Sequence, residues 1–192
     1  MNKAELRKLY LARQKNLSAA ERDERSERIA QAFFRDLDLS QVSFLHCFLP
    51  IAKFNEVDTA NIFKRVWAEF PDIRTLVPRV NFETGIMESV VYSADDELVQ
   101  NLWGIHEPMH KKTVPAINVD MVIAPGVCFD KRGHRVGYGK GFYDRFLGTC
   151  RPDCVKIGVS LFAPVEEISD IHDGDVQLEF VVTPDEILTG KA

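Results

Sequence analysis

The densest group of residues suited to chemistry lies between residues 121 and 147. An apolar segment ends there at Pro125, a loop follows, and the turn Gly137–Gly141 (GYGKG) leads into a segment of helical character. Glycines in such a turn remove the Cβ atoms that keep backbone N–H groups away from phosphate oxygens, and the helix adds unpaired donors and the positive end of its dipole. Lys140 adds a mobile positive charge. The pattern predicts a phosphate site, with a turn that only permits tight helix–sheet packing as the alternative.

The turn departs from two well-known phosphate-binding patterns. Lys140 is followed by Gly141 rather than by Ser or Thr, so the segment is not a Walker A loop. Its third glycine comes one position too early for the G-x-G-x-x-G fingerprint of dinucleotide-binding folds. The spacing alone therefore leaves the class of phosphate ligand open.

Alternating helix and strand patterns must position this turn. Good helix formers over residues 2–15 and a capping box at Ser18 and Glu21 predict two N-terminal helices, the second running to residue 36. Residues 104–115 are expected to form an irregular connection. The order of elements predicts a single α/β domain spanning residues 1–192, with three α/β/α layers around a mostly parallel sheet. Other patterns predict helices over 58–70 and 142–147 (closed by Gly148), and strands over 42–49, 73–77 (stopped by Pro78), 86–92, near 98, 121–124, 155–159 and 178–182.

Composition narrows the class of protein. With 192 residues, 45% of them hydrophobic, the chain suits one domain with its own core, and its net charge of -5 argues against a general nucleic-acid binder. The charged N-terminus predicts no secretory signal, and no run of about 18 apolar residues suggests a membrane span. The four cysteines are scattered, so they are expected to be buried thiols in the reducing cytosol rather than metal ligands or disulfides. Nothing indicates an obligatory protein partner.

Residues 125–144 resemble the signature of the 5-formyltetrahydrofolate cyclo-ligase family (5,10-methenyltetrahydrofolate synthetase), in which P-G-x-x-F-D-x-x-G-x-R-x-G-x-G-x-G-(F/Y)-Y-D recurs. Further segments fall in the family's order, so the resemblance covers nearly the whole chain. It implies a cytoplasmic, ATP-dependent ligase of folate one-carbon metabolism that closes 5-formyltetrahydrofolate to 5,10-methenyltetrahydrofolate, with ATP as cosubstrate and Mg²⁺ as the metal. The matching positions are Pro125, Gly126, Phe129, Asp130, Gly133, Arg135, Gly137, Gly139, Gly141, Phe142, Tyr143 and Asp144.

The resemblance also implies a set of site residues. Lys140 and Arg145 would carry the charge stabilisation of phosphoryl transfer, and Asp144 and Asp185 would hold Mg²⁺. The residues expected to contact ATP are Lys3, Arg7, Arg135, Gly137, Tyr138, Gly139, Lys140, Gly141, Phe142 and Tyr143. The residues expected to contact the folate are Leu49, Glu56, Met87, Trp103, Tyr138, Gly139, Lys140, Gly141 and Phe142.

Several of these residues have structural alternatives. Lys3 and Arg7 lie four apart on a predicted helix, so they can clamp an anion or form a solvated basic face. Glu56 suits the paired N–H donors of a pterin, but it also suits the first turn of a helix, where it would face the helix dipole. Asp185 can cap the turn that follows it. Met87 and Trp103 can serve the core or a lid as well as a ligand pocket.

The sequence leaves two other classes of function open. One is a sugar-phosphate isomerase-like α/β protein that uses the glycine turn without hydrolysing ATP. The other is a non-catalytic regulator that binds folate or nucleotide. Phosphate release that depends on a formyl-folate separates the first from the ligase, and the absorbance of a methenyl product separates the second.

Overall fold

Helices and strands alternate along the chain much as the sequence predicts. The computed structural model describes residues 1–100, 105–109 and 112–190. The helices are α1 (Lys3–Asn16), α2 (Ala19–Asp36), α3 (Ala60–Glu69) and α4 (Phe142–Thr149), with 3₁₀ turns at Ala52–Phe54 and Ala116–Asn118. The strands are β1 (Phe44–Cys47), β2 (Arg74–Asn81), β3 (Ile86–Val91), β4 (Leu98–Gln100), β5 (His106–Pro108), β6 (Thr113–Val114), β7 (Met121–Ala124), β8 (Cys128–Phe129), β9 (Arg135–Val136), β10 (Val155–Val159), β11 (Phe180–Val182) and β12 (Ile187–Thr189).

One sheet of eight strands organises the molecule, in the order β12-β11-β10-β7-β1-β2-β3-β6. The strands from β11 to β2 are parallel to one another, whereas the pairings at both edges are antiparallel. This confirms the α/β class and the mostly parallel sheet. Because parallel strands end at the same edge, the segments that follow β1, β7, β10 and β11 meet there, where α/β proteins bind ligands. Two smaller sheets pair β4 with β5 and β8 with β9.

Helices cover both faces of the sheet, as the three-layer prediction requires. The core on one face includes Leu6 of α1, Phe33 of α2 and Phe63 of α3. The core on the opposite face includes Phe146 of α4. The residues of β7 alternate between these two cores, and all of them are buried. A strand covered on both faces needs no polar side, which is why β7 reads as a continuous apolar run.

Capping boxes fix the starts of the two N-terminal helices. The box predicted at Ser18 is confirmed: Ser18 Oγ accepts from the Glu21 N–H at 3.2 Å, and Glu21 Oε2 accepts from the Ser18 N–H at 2.9 Å. Asn2 and Glu5 form a second box at the start of α1. That second box defines where α1 begins, and so where Lys3, its first residue, lies.

Two predicted stop signals are wrong. Pro78 lies inside β2, which continues to Asn81. The pairing of β2 with β1 ends at Leu76, so beyond it β2 is paired with β3 alone and the missing N–H of proline is tolerated. Gly148 lies inside α4, because the helix ends through an extended residue, Cys150, and needs no left-handed glycine.

Short strands account for most of the remaining differences. Within the described part of residues 104–115, β5 and β6 replace the predicted irregular connection. The strands β8, β9 and β12 have two or three residues each, too few for a periodic pattern to reveal them. No helix in the described ranges combines the length and apolar character needed to cross a bilayer.

Candidate active site

The glycine turn connects β9 to α4 in a conformation that its sequence dictates. Gly139 and Gly141 have φ angles of 93° and 65°, in the left-handed region that favours glycine. Gly141 is the N-cap residue of α4, and no side chain of the described residues caps this helix. The first N–H groups of a helix have no intrahelical acceptor. The start of α4 therefore offers backbone donors to an anion.

Two arginines hold the carbonyl groups of the turn. Arg7 Nε donates to the Gly137 carbonyl at 2.7 Å, and Arg145 Nη1 donates to the Lys140 carbonyl at 3.1 Å. Arg145 Nη2 also reaches the Gly85 carbonyl at 3.3 Å, which ties the turn to the loop between β2 and β3. These contacts occupy acceptors of the turn and leave its donors available.

Lys140 is the free charge of the turn. Its side chain is exposed, and no hydrogen bond or ion pair engages it within the described residues. Arg7 lies next to it along the turn, with its guanidinium 3.7 Å from the place a Cβ on Gly139 would occupy. Two positive charges thus flank a segment rich in glycine. The arrangement is suited to an anion.

A cluster of paired charges lies beside the turn. Arg135, almost fully buried, donates from Nη2 to Asp144 Oδ1 at 2.7 Å, and the Val176 N–H donates to the same oxygen at 3.2 Å. Lys3 Nζ donates to Asp175 Oδ2, which also accepts from the His172 N–H at 2.9 Å. Burial lowers the pKa of Arg135, while the charges of Asp144 and Asp175 both raise it, so the two carboxylates act on the same guanidinium.

Burial and ion pairing act in opposite directions on Asp175. Burial raises the pKa of this carboxyl group, but the hydrogen bond from Lys3 and further contacts lower it, with a net lowering. Asp175 is therefore a carboxylate at neutral pH. Two carboxyl groups, those of Asp144 and Asp175, thus flank Arg135 and Lys3 next to the glycine turn.

The structure places Asp185 away from this cluster. Asp185 Oδ1 accepts from Arg28 Nη2 of α2 at 2.6 Å, and the carboxylate is 74% exposed. It lines a cleft of about 190 Å³ with Arg13 and Arg25. Within the described ranges, no hydrogen bond or ion pair joins Asp185 to Asp144. The two predicted Mg²⁺ ligands therefore do not share a set of contacts.

Metal-site geometry is not preformed in the part of the chain that the structure describes. No group of three or more His, Cys, Asp or Glu side chains converges there. Such a convergence is not required of a Mg²⁺ site, since this ion commonly takes one or two carboxylates with phosphate oxygens and water. The cluster of Asp144 and Asp175 meets that lesser requirement.

A buried polar pocket adjoins the turn. Glu56 is 6% exposed, and its Oε2 accepts from the Ile51 N–H at 2.5 Å. Burial raises the pKa of this carboxyl group to about 7, although the Ile51 N–H and Tyr138 lower it. The ring of Tyr138 stacks on Phe54, with centroids 4.5 Å apart. The backbone of Tyr138 belongs to the glycine turn, while its side chain belongs to this pocket.

Tyr143 borders the same pocket from α4. It packs against the cores on both faces of the sheet, and burial raises its pKa, as does the nearby charge of Glu56. Its hydroxyl lies 3.5 Å from His46 Nε2, and His46 Nδ1 lies 2.8 Å from Ser89 Oγ. Burial lowers the pKa of His46 to about 3, so the imidazole stays neutral and holds Tyr143 through an uncharged contact.

The remaining predicted folate residues are placed as follows. Leu49 is half-buried two residues after the end of β1, and Met87 is half-buried on β3, against the core that contains α4. Phe142 packs edge-on against Phe82, with centroids 5.5 Å apart. Trp103 lies outside the described residues. The structure thus brings Leu49, Glu56, Tyr138 and Tyr143 to one end of the sheet.

Two residues of the site were missed by the sequence interpretation. Asp175 follows two residues after Asp173, and nothing in that spacing singles it out from its acidic neighbours. Gln14 is 4% exposed at the end of α1, where it lines the same small cavity as Glu56. The spacing of Leu6, Tyr10 and Gln14 is the signal that could have identified Gln14 as buried. These residues are four apart, and this spacing places them on one face of a helix.

Comparison with known proteins gives a consistent result. Residues 1–184 match the 5-formyltetrahydrofolate cyclo-ligase family. An Escherichia coli K12 5-formyltetrahydrofolate cyclo-ligase is 29% identical over 170 residues, covering 86% of this chain and 92% of the relative. The solved structure of Aquifex aeolicus 5,10-methenyltetrahydrofolate synthetase has a TM-score of 0.84 and 28% identity, covering 100% of this chain and 94% of the other. The Mycoplasma pneumoniae synthetase has a TM-score of 0.76 and 25% identity, covering 96% and 99%. The chain belongs to the 5-formyltetrahydrofolate cyclo-ligase family.

Proposed function

We propose that the chain converts 5-formyltetrahydrofolate to 5,10-methenyltetrahydrofolate at the expense of ATP, with the phosphates on the turn Gly137–Gly141 and the pterin in the pocket of Glu56. The observation that carries the proposal is the position of Tyr138. Its backbone lies in the turn, and its side chain lies beside Glu56 and Phe54. A ring closure driven by phosphoryl transfer needs its two substrates in contact, and the two halves of this site adjoin through one residue.

The chemistry explains why ATP is needed. The oxygen of a formamide is a poor leaving group, so it first attacks the γ-phosphorus of ATP, and the bond from that phosphorus to the β-phosphate oxygen breaks. ADP leaves, and the folate carries an N5-iminium phosphate. N10 then attacks the activated carbon and loses its proton, and the carbon–oxygen bond breaks to release phosphate. No covalent attachment to the protein is required.

The protein's task in this reaction is positioning and charge stabilisation. The turn and the start of α4 supply N–H donors to the phosphates, and the unpaired ammonium group of Lys140 meets the charge that develops during transfer. Arg7 and Arg145 fix the backbone of the turn through its carbonyl groups. Glu56 orients the pterin by accepting its N–H donors.

The residues beside the turn also suit Mg²⁺. A carboxylate pair next to a phosphate site fits the oxygen ligands that this ion prefers. We assign the ion to Asp144 and Asp175 rather than to Asp185, because Asp175 is coupled to Arg135 and Lys3 whereas Asp185 is paired with Arg28. When bound, Mg²⁺ would neutralise phosphate charge; Lys3 and Arg135 hold the two carboxylates in place.

The test is a spectrophotometric assay of the purified chain with 5-formyltetrahydrofolate. We expect the absorbance of the methenyl product to appear only when ATP and Mg²⁺ are both present, with one phosphate released per product. Phosphate release without formyl-folate would instead support an isomerase-like or unrelated phosphate enzyme. Folate binding without product would support a regulator. All four cysteines are free thiols, which suits the cytoplasmic location that we propose with this function.

A further inference from the structure

Gln14 stands out among the residues of α1 because it is polar and buried. The buried residues of this helix are Leu6, Tyr10 and Gln14, which lie on one face. Two of them are ordinary core residues, whereas Gln14 carries an amide into the interior at 4% exposure. Its Oε1 has no hydrogen-bond partner within the described residues. A buried acceptor without a donor destabilises a protein unless something else supplies the donor.

The surroundings of Gln14 indicate which molecule supplies that donor. Gln14 and Glu56 line the same cavity, which has a volume of about 10 Å³ and lies beside Pro125 and Gly126, at the end of β7. In the part of the chain that the structure describes, the Tyr138 hydroxyl is also buried and makes no hydrogen bond of ordinary geometry. Burial raises its pKa and so does nearby Glu56, whereas the Gln14 amide lowers it. Three polar groups thus converge at the edge of the sheet where the proposed pterin pocket lies.

The chemistry of the pterin edge requires more than one acceptor. A 2-amino-4-oxo pterin presents the N3–H and two N–H groups of its 2-amino substituent. A carboxylate has two oxygens in one plane, so it accepts from N3–H and from the amino hydrogen on the same side. The second amino hydrogen points away from that carboxylate. It needs another acceptor, and it would be left buried and unpaired without one.

We infer that Gln14 is a specificity-determining residue, whose Oε1 accepts the second hydrogen of the substrate's 2-amino group while Glu56 accepts the first. The inference rests on the proposed function. It gives the two unusual buried groups, the amide of Gln14 and the carboxyl group of Glu56, one shared role: both bind the pterin ring. The alternative is a single buried water that bridges Gln14 and Glu56, since the cavity is about the size of one water.

The test replaces Gln14 with an apolar side chain of the same length, in Gln14→Met, and compares it with Lys15→Met on the exposed side of α1. We expect the KM for 5-formyltetrahydrofolate to rise about tenfold in Gln14→Met, equivalent to about 1.4 kcal/mol. The kcat and the KM for ATP should stay within twofold of the wild type. The Tm of the unliganded protein should rise, because an unpaired buried acceptor is removed. Lys15→Met should leave the kcat and both KM values unchanged.

A folate analogue with a methyl group in place of the 2-amino group makes the test specific. As an inhibitor, this analogue should have the same Ki against the wild type and Gln14→Met. An unchanged KM for the natural substrate, or an equal loss of affinity for substrate and analogue, would overturn the inference in favour of a water-bridging or packing role. Absence of ATP-dependent methenyl product from the wild type would overturn the proposed function itself, and the inference with it.

Discussion

The glycine turn, which we propose holds phosphate, and the pocket of Glu56, which we propose holds the pterin, meet at Tyr138, yet they are built in opposite ways. The turn is exposed and continuous in sequence, and its charge, Lys140, is solvated at little cost. The pocket is buried and assembled from three distant segments, with Gln14 on α1, Glu56 after β1, and Tyr138 before α4. Its polar groups are desolvated before any ligand arrives. Substitution of Lys140 should therefore affect catalysis alone, whereas substitutions in the pocket should affect stability as well.

The largest effect is expected at Lys140. Lys140→Ala should lower kcat by about 10²–10³-fold, as removal of a donor to developing charge does. The KM for 5-formyltetrahydrofolate and the Tm should change little, because the side chain is exposed and makes no hydrogen bond or ion pair with the described residues. Steady-state kinetics and thermal unfolding check both points. Lys64→Ala, an exposed lysine on α3, is the matched control. Equal losses in folate affinity and turnover would contradict the assignment of Lys140 to the phosphate.

The burial of Glu56 in the pocket should make the free energy of unfolding depend on pH. The pKa of Glu56 is raised from 4.5 to about 7, so the folded state binds more protons than the unfolded state between these values. The free energy of unfolding should therefore fall by up to about 3 kcal/mol, relative to Glu56→Gln, as pH rises through that window. Urea unfolding at pH 4.5 and pH 7.5 measures this difference. A difference between wild type and variant that does not change with pH would exclude the raised pKa.

A smaller effect should separate the two aspartates considered for Mg²⁺. Asp175→Asn should raise the Mg²⁺ concentration needed for half-maximal rate by about tenfold or more, as loss of a metal-site carboxylate or its support does. Asp185→Asn should change it less than twofold, because Asp185 is exposed and paired with Arg28. Titration of the rate with Mg²⁺ compares the variants directly. The reverse ranking would restore Asp185 to the metal site.

The difference between turn and pocket also decides what could be predicted from the sequence. The turn is a local motif, so glycine spacing and Lys140 could be interpreted without a structure, and the α/β class followed from the alternation of periodic segments. The pocket depends on tertiary contacts. Gln14 lies 42 residues before Glu56 in the numbering of the chain, and no local pattern relates them.

The proposed metal site illustrates the same limit. Asp144 is the last matching residue of the signature, three residues after Gly141, so its position next to the turn could be predicted. Asp175 reaches the site only because β11 and the segment before it return to Lys3 and Arg135. Asp185 was predicted from the resemblance to the family, yet it lies beyond β11, paired with Arg28 of α2. Which of several neighbouring acids enters a site is set by the path of the backbone.

The most direct test of the central claim, that turn and pocket form one site, follows the formyl oxygen. The enzyme is supplied with 5-formyltetrahydrofolate labelled with ¹⁸O in the formyl group and with unlabelled ATP, and the released phosphate is analysed by mass spectrometry. If the γ-phosphate on the turn meets the folate in the pocket, each phosphate should carry one ¹⁸O atom. Phosphate without the label, formed alongside methenyl product, would show that the oxygen never attacked ATP and would contradict the account.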